Sequence, residues 1–156
     1  MDRTHARSPK GERAHGKRPG NTRTTLTVLG VLTCHGLVDA MTVNSGTDKD
    51  VFDAFVEQIL VKWLEPSDVV IMDNLSAHYS AKALKMIEDA GASIMFQPPY
   101  SPHLNPIEMA WSKLKNILRS AKVRSRKDIE DVISKHLIQL GYSDAKGWFE
   151  ACGYRW

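Results

Sequence analysis

Two acids, Asp73 and Glu108, stand where side chains of their type could hold a metal ion. Asp73 follows directly on Val69-Val70-Ile71-Met72, an apolar run that predicts a strand buried on both faces, as parallel strands packed under helices are. Open α/β sheets place their ligands beyond the C-terminal ends of such strands. Glu108 falls on the first turn of a helix that Asn105 caps and Pro106 opens. Clustered carboxylates suit Mg²⁺, a hard ion that prefers oxygen and keeps some of its waters. Each acid also has an ordinary reading. Asp73-Asn74 is a turn-forming pair after a strand. Asn-x-x-Glu at a helix start is nearly a capping box, in which the glutamate reaches back to the cap residue's N–H. His78, five residues after Asp73, lies within reach of the same strand end, to order a water or contact a phosphate, or as a loop histidine. Asn74 and Asn105 flank the two acids as candidates to orient them by hydrogen bonds, whereas Tyr100 and Trp111 read as packing residues.

The elements that must position these groups follow from periodicity. Residues 1–23 are basic and rich in Gly, Pro and Arg, and predict a loop or arm. Residues 24–156 form one domain by size. Thr24 to Cys34 is β-branched and partly alternating, His35-Gly36 makes a turn, and Leu37 to Val43 returns as the second strand of a hairpin that Asn44-Ser45-Gly46 closes. Thr47 or Asp48 caps a helix to about Leu64, with Phe52, Phe55, Val56, Ile59, Leu60, Trp63 and Leu64 on one broad face and Pro66 as its stop. After the Val69–Met72 strand, Ser80 to Ala90 predicts a helix that Gly91 ends, and Ala92 to Phe96 a strand parallel to its predecessor. The Pro-rich Gln97–His103 loop leads into the Glu108 helix, whose core stripe is Ile107, Trp111, Leu114 and Leu118. Ser125 begins a helix with Ile129, Val132, Ile133 and Leu137 inward, and Asp144 to about Cys152 a last one burying Trp148 and Phe149.

Charge is more informative in its distribution than in its sum of +3. Residues 1–23 hold seven Lys/Arg against two acids, and residues 113–127 hold seven against none. Two basic patches on an otherwise acidic body suit a nucleic-acid partner. Lys113, Lys115, Arg119, Lys122, Arg124, Arg126 and Lys127 follow the Glu108 helix start and are the DNA-backbone candidates, against the plain alternative of a solvated basic face. Cys34 and Cys152 stand far apart with no metal-ligand spacing, no stretch approaches a membrane span, and no secretory h-region opens the chain. A reduced, cytoplasmic protein without membrane association is expected.

Asp73-Asn74 with His78, then Pro98-Pro99-Tyr100-Ser101-Pro102, Leu104-Asn105-Pro106-Ile107-Glu108, Trp111 and Lys115, resemble the catalytic core of DDE transposases, in the bacterial insertion-sequence branch of the mariner superfamily. The resemblance implies a ribonuclease-H-like α/β fold, a mixed sheet flanked by helices. It implies metal-dependent DNA strand cleavage and strand transfer, with Asp73 and Glu108 as catalytic metal ligands and two Mg²⁺ (or Mn²⁺) ions. It implies as partners DNA, both transposon inverted-repeat ends and target, and a second copy of the chain or a full-length transposase. The family uses three carboxylates, the first on the central opening strand of the sheet. Asp2 follows no apolar run, so that strand and its acid are expected to be lacking and the chain to be truncated at its N-terminus and inactive alone. Backbone groups would then lie open in mid-sheet, with poor solubility, dimerisation or partial unfolding as the expected result. A non-catalytic DNA-binding or dimerising remnant is the alternative, and a stand-alone two-carboxylate nuclease a third.

Overall fold

A computed structural model describes residues 9–12, 26–123, 125–137 and 140–155. Most of the basic arm expected over 1–23 lies outside these residues, as do Thr24, Thr25, Arg124 and the Leu137 side chain.

Strand β1 (Thr27–Thr33) turns through Cys34-His35 into β2 (Gly36–Val43), an antiparallel hairpin whose register slips between Val31 and Leu32. Gly36 lies at φ +128°, where a Cβ would sit 2.4 Å from the Leu140 carbonyl oxygen. That clearance lets the Leu37 N–H donate to the Leu140 carbonyl at 3.0 Å, so the outer edge of β2 is covered by the segment entering the last helix.

Helix α1 (Lys49–Gln58) is capped by Asp48, whose carboxylate accepts from the Val51 N–H at 2.9 Å. It is shorter than expected: the backbone leaves the helical region at Ile59 and tightens into a 3₁₀ turn, Leu60–Trp63. That turn rotates Trp63 off the apolar face. Its ring is 43% exposed, and its Nε1–H donates to Asp39 on the hairpin. Phe52, Phe55, Val56 and Leu60 remain in the core.

Strand β3 (Val69–Met72) pairs in parallel with β4 (Ser93–Phe96), joined by helix α2 (Ala81–Asp89), which Gly91 follows at φ +83°. The right-handed crossover expected of a parallel pair supplies a helix to cover one face. The expectation that β3 is buried on both faces fails at its start, because Val69 is 55% exposed; burial deepens along the strand to Met72. Ile87 of α2 joins Val31, Val56, Met72 and Ala83 in one core that ties the hairpin to the parallel pair.

Helix α3 (Pro106–Ala121) lays Trp111, Leu114 and Leu118 against Val28, Val123 and Ile133 in a second core. Gly30 of β1 is where the two meet, since a Cβ there would stand 2.6 Å from the Trp111 ring. Helix α4 (Arg126–Leu137) begins with a reciprocal cap: the Asp128 N–H donates to Ser125 Oγ, and the Ser125 N–H to the Asp128 carboxylate. Helix α5 (Tyr142–Ala151) buries Ala145, with Cys152 buried just beyond it, whereas Trp148 and Phe149 are only half-buried, contrary to expectation. The helix is short, and α3 and β2 cover one narrow side of it.

The strands form two two-stranded sheets, β1-β2 and β3-β4. Among the described residues no strand joins β1 to β3; the two instead border a common cavity. No helix of the described residues is long and apolar enough to cross a membrane.

Candidate active site

Asp73 emerges from the C-terminal end of β3. Its carboxylate accepts from the Leu75 N–H at 3.0 Å, so the turn-forming role open to an Asp-Asn pair is realised. That turn occupies only part of the group, since the side chain remains 55% exposed. A 3₁₀ turn, Ser76–Tyr79, is anchored by buried Ala77 and carries His78 back over the strand end. The His78 Nδ1 lies 2.9 Å from Asp73 Oδ1, while its ring packs 4.5 Å from the Phe52 ring. An aromatic wall thus fixes one partner of the carboxylate and leaves the rest of it facing solvent.

Glu108 comes to the same place from α3. The capping box open to it from spacing does not form. Asn105 spends its own N–H on the Pro102 carbonyl at 3.1 Å, closing the 3₁₀ turn Pro102–Leu104, so the donor a glutamate would reach for is taken. The Asn105 side chain makes no cap hydrogen bond either; its contribution is the carbonyl that accepts the Glu108 N–H at 3.1 Å. The Glu108 carboxylate is exposed and has no hydrogen bond among the described residues. Asp73 and Glu108 together border two cavities. One, of about 400 Å³, runs between β1 and β3; the other, of about 390 Å³, lies under the Pro98–Pro102 loop.

The residue that sequence reasoning missed is Gln97, 5% exposed at the end of β4. Its N–H donates to the Met72 carbonyl at 2.8 Å and its side-chain amide to the Leu104 carbonyl at 2.7 Å. Its own carbonyl accepts from the Asn74 side chain, which in turn accepts from the Tyr79 hydroxyl. Tyr79 stacks on Phe96, with ring centroids 4.4 Å apart, and the Tyr154 hydroxyl donates to the Leu104 carbonyl at 3.0 Å. One buried amide therefore clamps the strand end bearing Asp73 to the turn that launches Glu108. The signal was present in the sequence: a glutamine closing an apolar strand must be satisfied if buried. Gln97→Leu is expected to cost about 1 kcal/mol by removing the side-chain amide's hydrogen bond to the Leu104 carbonyl, measured as a fall in the urea midpoint.

Tyr100 does not pack as expected. It lies at φ +57° and is fully exposed on the loop tip. Trp111 does pack, half-buried over Gly30. The basic patch divides. Lys113 is paired with Asp144 at 2.5 Å, Arg126 with Glu130 at 2.6 Å, and Arg119 donates to Asn116. Hydrogen bonds from Arg126 and then Thr42 hold the Glu130 carboxyl below its ordinary pKa, which ties Arg126 to the hairpin. Lys115, Lys122 and Lys127 are exposed and have no ion-pair partner among the described residues.

The donor set at the site is oxygen only, exposed and anionic, which fits a hard divalent ion that retains water. Among the described residues no group of three or more metal-ligating side chains forms, so the fit is of two carboxylates and not of a closed cage.

Solved structures share the fold. A Mos1 mariner transposase paired-end complex with the left transposon end matches at a TM-score of 0.78, 11% identity, 97% of this chain and 47% of that one. The Mos1 strand transfer complex matches at 0.75, 11%, 98% and 48%, and a Mos1 mariner paired-end complex with Mn at 0.73, 9%, 97% and 48%. At these identities the likeness is one of fold, and the chain spans about half the length of the structures it matches. No curated protein sequence matches at a significant level. Residues 1–130, from the basic arm through α3 into α4, match the family described as DDE superfamily endonuclease, and it is to this family that the chain belongs.

Proposed function

We propose that the chain is the catalytic part of a transposase of the mariner superfamily, in its bacterial insertion-sequence branch, acting on the DNA of transposon ends and target. The observation that carries the reading is the convergence of an exposed Asp73 and an exposed Glu108 on the same cavities, from a strand end and a helix start. Asp73 and Glu108 would hold Mg²⁺ or Mn²⁺, and two such ions supply activation of the attacking oxygen and stabilisation of the leaving one in an in-line displacement. The chain's own part is positioning. His78 and the Leu75 N–H orient the Asp73 carboxylate, and the Gln97 clamp fixes its relation to Glu108. Lys115, Lys122 and Lys127 attract phosphates beyond α3, past Glu108. The fold reads as ribonuclease-H-like with its central strand outside the described residues. Two carboxylates are short of the family's three, which supports a chain that cleaves only when a further ligand is supplied; the same shortage favours, as second reading, a remnant that binds DNA without cutting it.

Duplex DNA binding followed by fluorescence anisotropy across a salt series, with and without Mn²⁺, tests this. The slope of log K against log salt is expected to flatten by about 2 to 3 in the triple variant Lys115→Gln, Lys122→Gln, Lys127→Gln. Mn²⁺ should strengthen binding by the wild type, and that increment should vanish in Asp73→Asn with the slope unchanged. A slope untouched by the triple variant would remove the DNA face, and a Mn²⁺ increment that survives Asp73→Asn would remove the metal site.

A further inference from the structure

We infer that Tyr154, just beyond α5, is a positioning residue for Glu108: its hydroxyl fixes the peptide unit from which α3 is launched. The Leu104 carbonyl accepts two hydrogen bonds, from the Gln97 side-chain amide at 2.7 Å and from the Tyr154 hydroxyl at 3.0 Å. A carbonyl oxygen has two lone pairs, so its acceptor capacity is filled. The N–H of the same planar peptide unit is that of Asn105, and it donates to the Pro102 carbonyl at 3.1 Å. One peptide plane is thus held at three points, immediately before the helix whose first turn carries Glu108. The Glu108 carboxylate has no hydrogen bond of its own among the described residues, so the backbone beneath it is what sets its place. Of the three anchors only Tyr154 comes from a distant part of the chain, 50 residues on.

Tyr154 is itself held in place. Gly153 lies at φ +88° after α5, its N–H donates to the Glu150 carbonyl at 3.0 Å, and the Tyr154 N–H donates to the Phe149 carbonyl at 2.9 Å. These two bonds are the Schellman pattern of a helix end, with glycine at the left-handed position it favours. The apolar contact that accompanies the motif is present too, since the Tyr154 and Phe149 rings meet edge to face with centroids 5.9 Å apart. Phe149 borders the cavity that Asp73, Asn105 and Glu108 share. The helix before it is fixed to the body on two sides. Asp144 pairs with Lys113 of α3, and the Leu140 carbonyl ahead of α5 accepts from the Leu37 N–H of β2. A rigid segment therefore delivers the hydroxyl to Leu104. Phenylalanine would serve packing alone; the hydroxyl is the part aimed at the turn. The family match covers residues 1–130, so this anchor comes from outside the matched stretch. Its effect on a metal ion rests on the reading of Asp73 and Glu108 given above, whereas its effect on the Glu108 backbone does not.

The test is Tyr154→Phe in the full chain, which deletes one oxygen and keeps the ring on Phe149. Tyr142→Phe is the control, the same deletion at the other end of α5, on a ring 53% exposed. Amide hydrogen exchange, read residue by residue by NMR, is expected to speed about three- to tenfold at Asn105 and Glu108 in Tyr154→Phe, as for the loss of one neutral hydrogen bond. Exchange in the β3–β4 ladder and the His78 ring resonances should stay as in wild type, because neither depends on the Leu104 peptide. A loss of stability shared by the whole fold would speed exchange in that ladder too. Mn²⁺ affinity should fall about tenfold, the low end for losing a group outside the metal's own ligands. Unchanged exchange at Asn105 and Glu108, an increase spread evenly into the β3–β4 ladder, or an equal response in Tyr142→Phe each overturns the proposal. A Mn²⁺ affinity that falls in Glu108→Gln and holds in Tyr154→Phe overturns it as well. An affinity that holds in both removes the metal reading instead, and exchange at Glu108 then decides the proposal by itself.

Discussion

Glu108→Gln and Asp73→Asn are each expected to weaken Mn²⁺ binding by at least one to two orders of magnitude without loss of the fold. Losing an outer-shell partner of a metal ligand already costs about 10–100-fold, so losing one of the two carboxylates proposed as ligands should cost no less. Neither substitution changes volume, and neither side chain is buried, so circular dichroism and the urea midpoint should stay near wild type. The measurement is a Mn²⁺ titration followed by water proton relaxation, with Glu57→Gln as the control, an exposed acid on α1 paired with Lys82. Asp73→Asn carries a second consequence, because Asp73 faces His78 and Glu108 does not. Replacing the carboxylate with an amide removes the charged partner of the imidazole, so the His78 ring resonances should move in Asp73→Asn and stay put in Glu108→Gln. Equal Mn²⁺ affinity in wild type and both variants would separate the two acids from any metal.

Ile87→Ala is expected to destabilise the protein by about 2–5 kcal/mol. Ile87 has no exposed surface and sits in the core that joins the hairpin to the parallel pair. Its removal deletes buried methyl groups and leaves a cavity that surrounding elements fill only in part. The site should suffer with the fold, since α2 is the crossover that holds β3 beside β4 and thereby Asp73 beside Gln97. A urea or thermal melt measures the loss. A change under 1 kcal/mol would mean that α2 is not a wall of this core. Comparing Ile87→Ala with the two carboxylate variants separates a fold effect from a site effect, because the carboxylate variants leave the melt alone and Ile87→Ala moves it.

Much of the local structure was legible because it is written in short-range patterns. The Asp48 cap, the Gly91 stop, the hairpin turn and the parallel β3–β4 pair each follow from backbone chemistry within a few residues or from the helix between two strands. The elements misjudged were those whose ends are set by neighbours far along the chain. The helix expected to reach Leu64 breaks at Ile59 with no Gly or Pro to announce it, and Trp63 then turns out to meet Asp39. The Glu108 cap had the right letters, but the Pro102–Leu104 turn takes the donor that a capping box needs. Gln97 reaches Met72 and Leu104, twenty-five residues before it and seven after, so its role depends on how two strands and a turn come together.

What the sequence by itself determined was the pair of acids and the elements that carry them, because strand, turn and helix-start preferences act locally and PPYSPHLNPIE is too particular to be filler. What only the tertiary structure decided was which groups remain free. Hydrogen-bond donors and strand edges are shared across the whole fold, and a residue's neighbours in space decide whether they are used. That is why the Glu108 side chain forms no capping box and why Lys115, Lys122 and Lys127 differ from their paired neighbours.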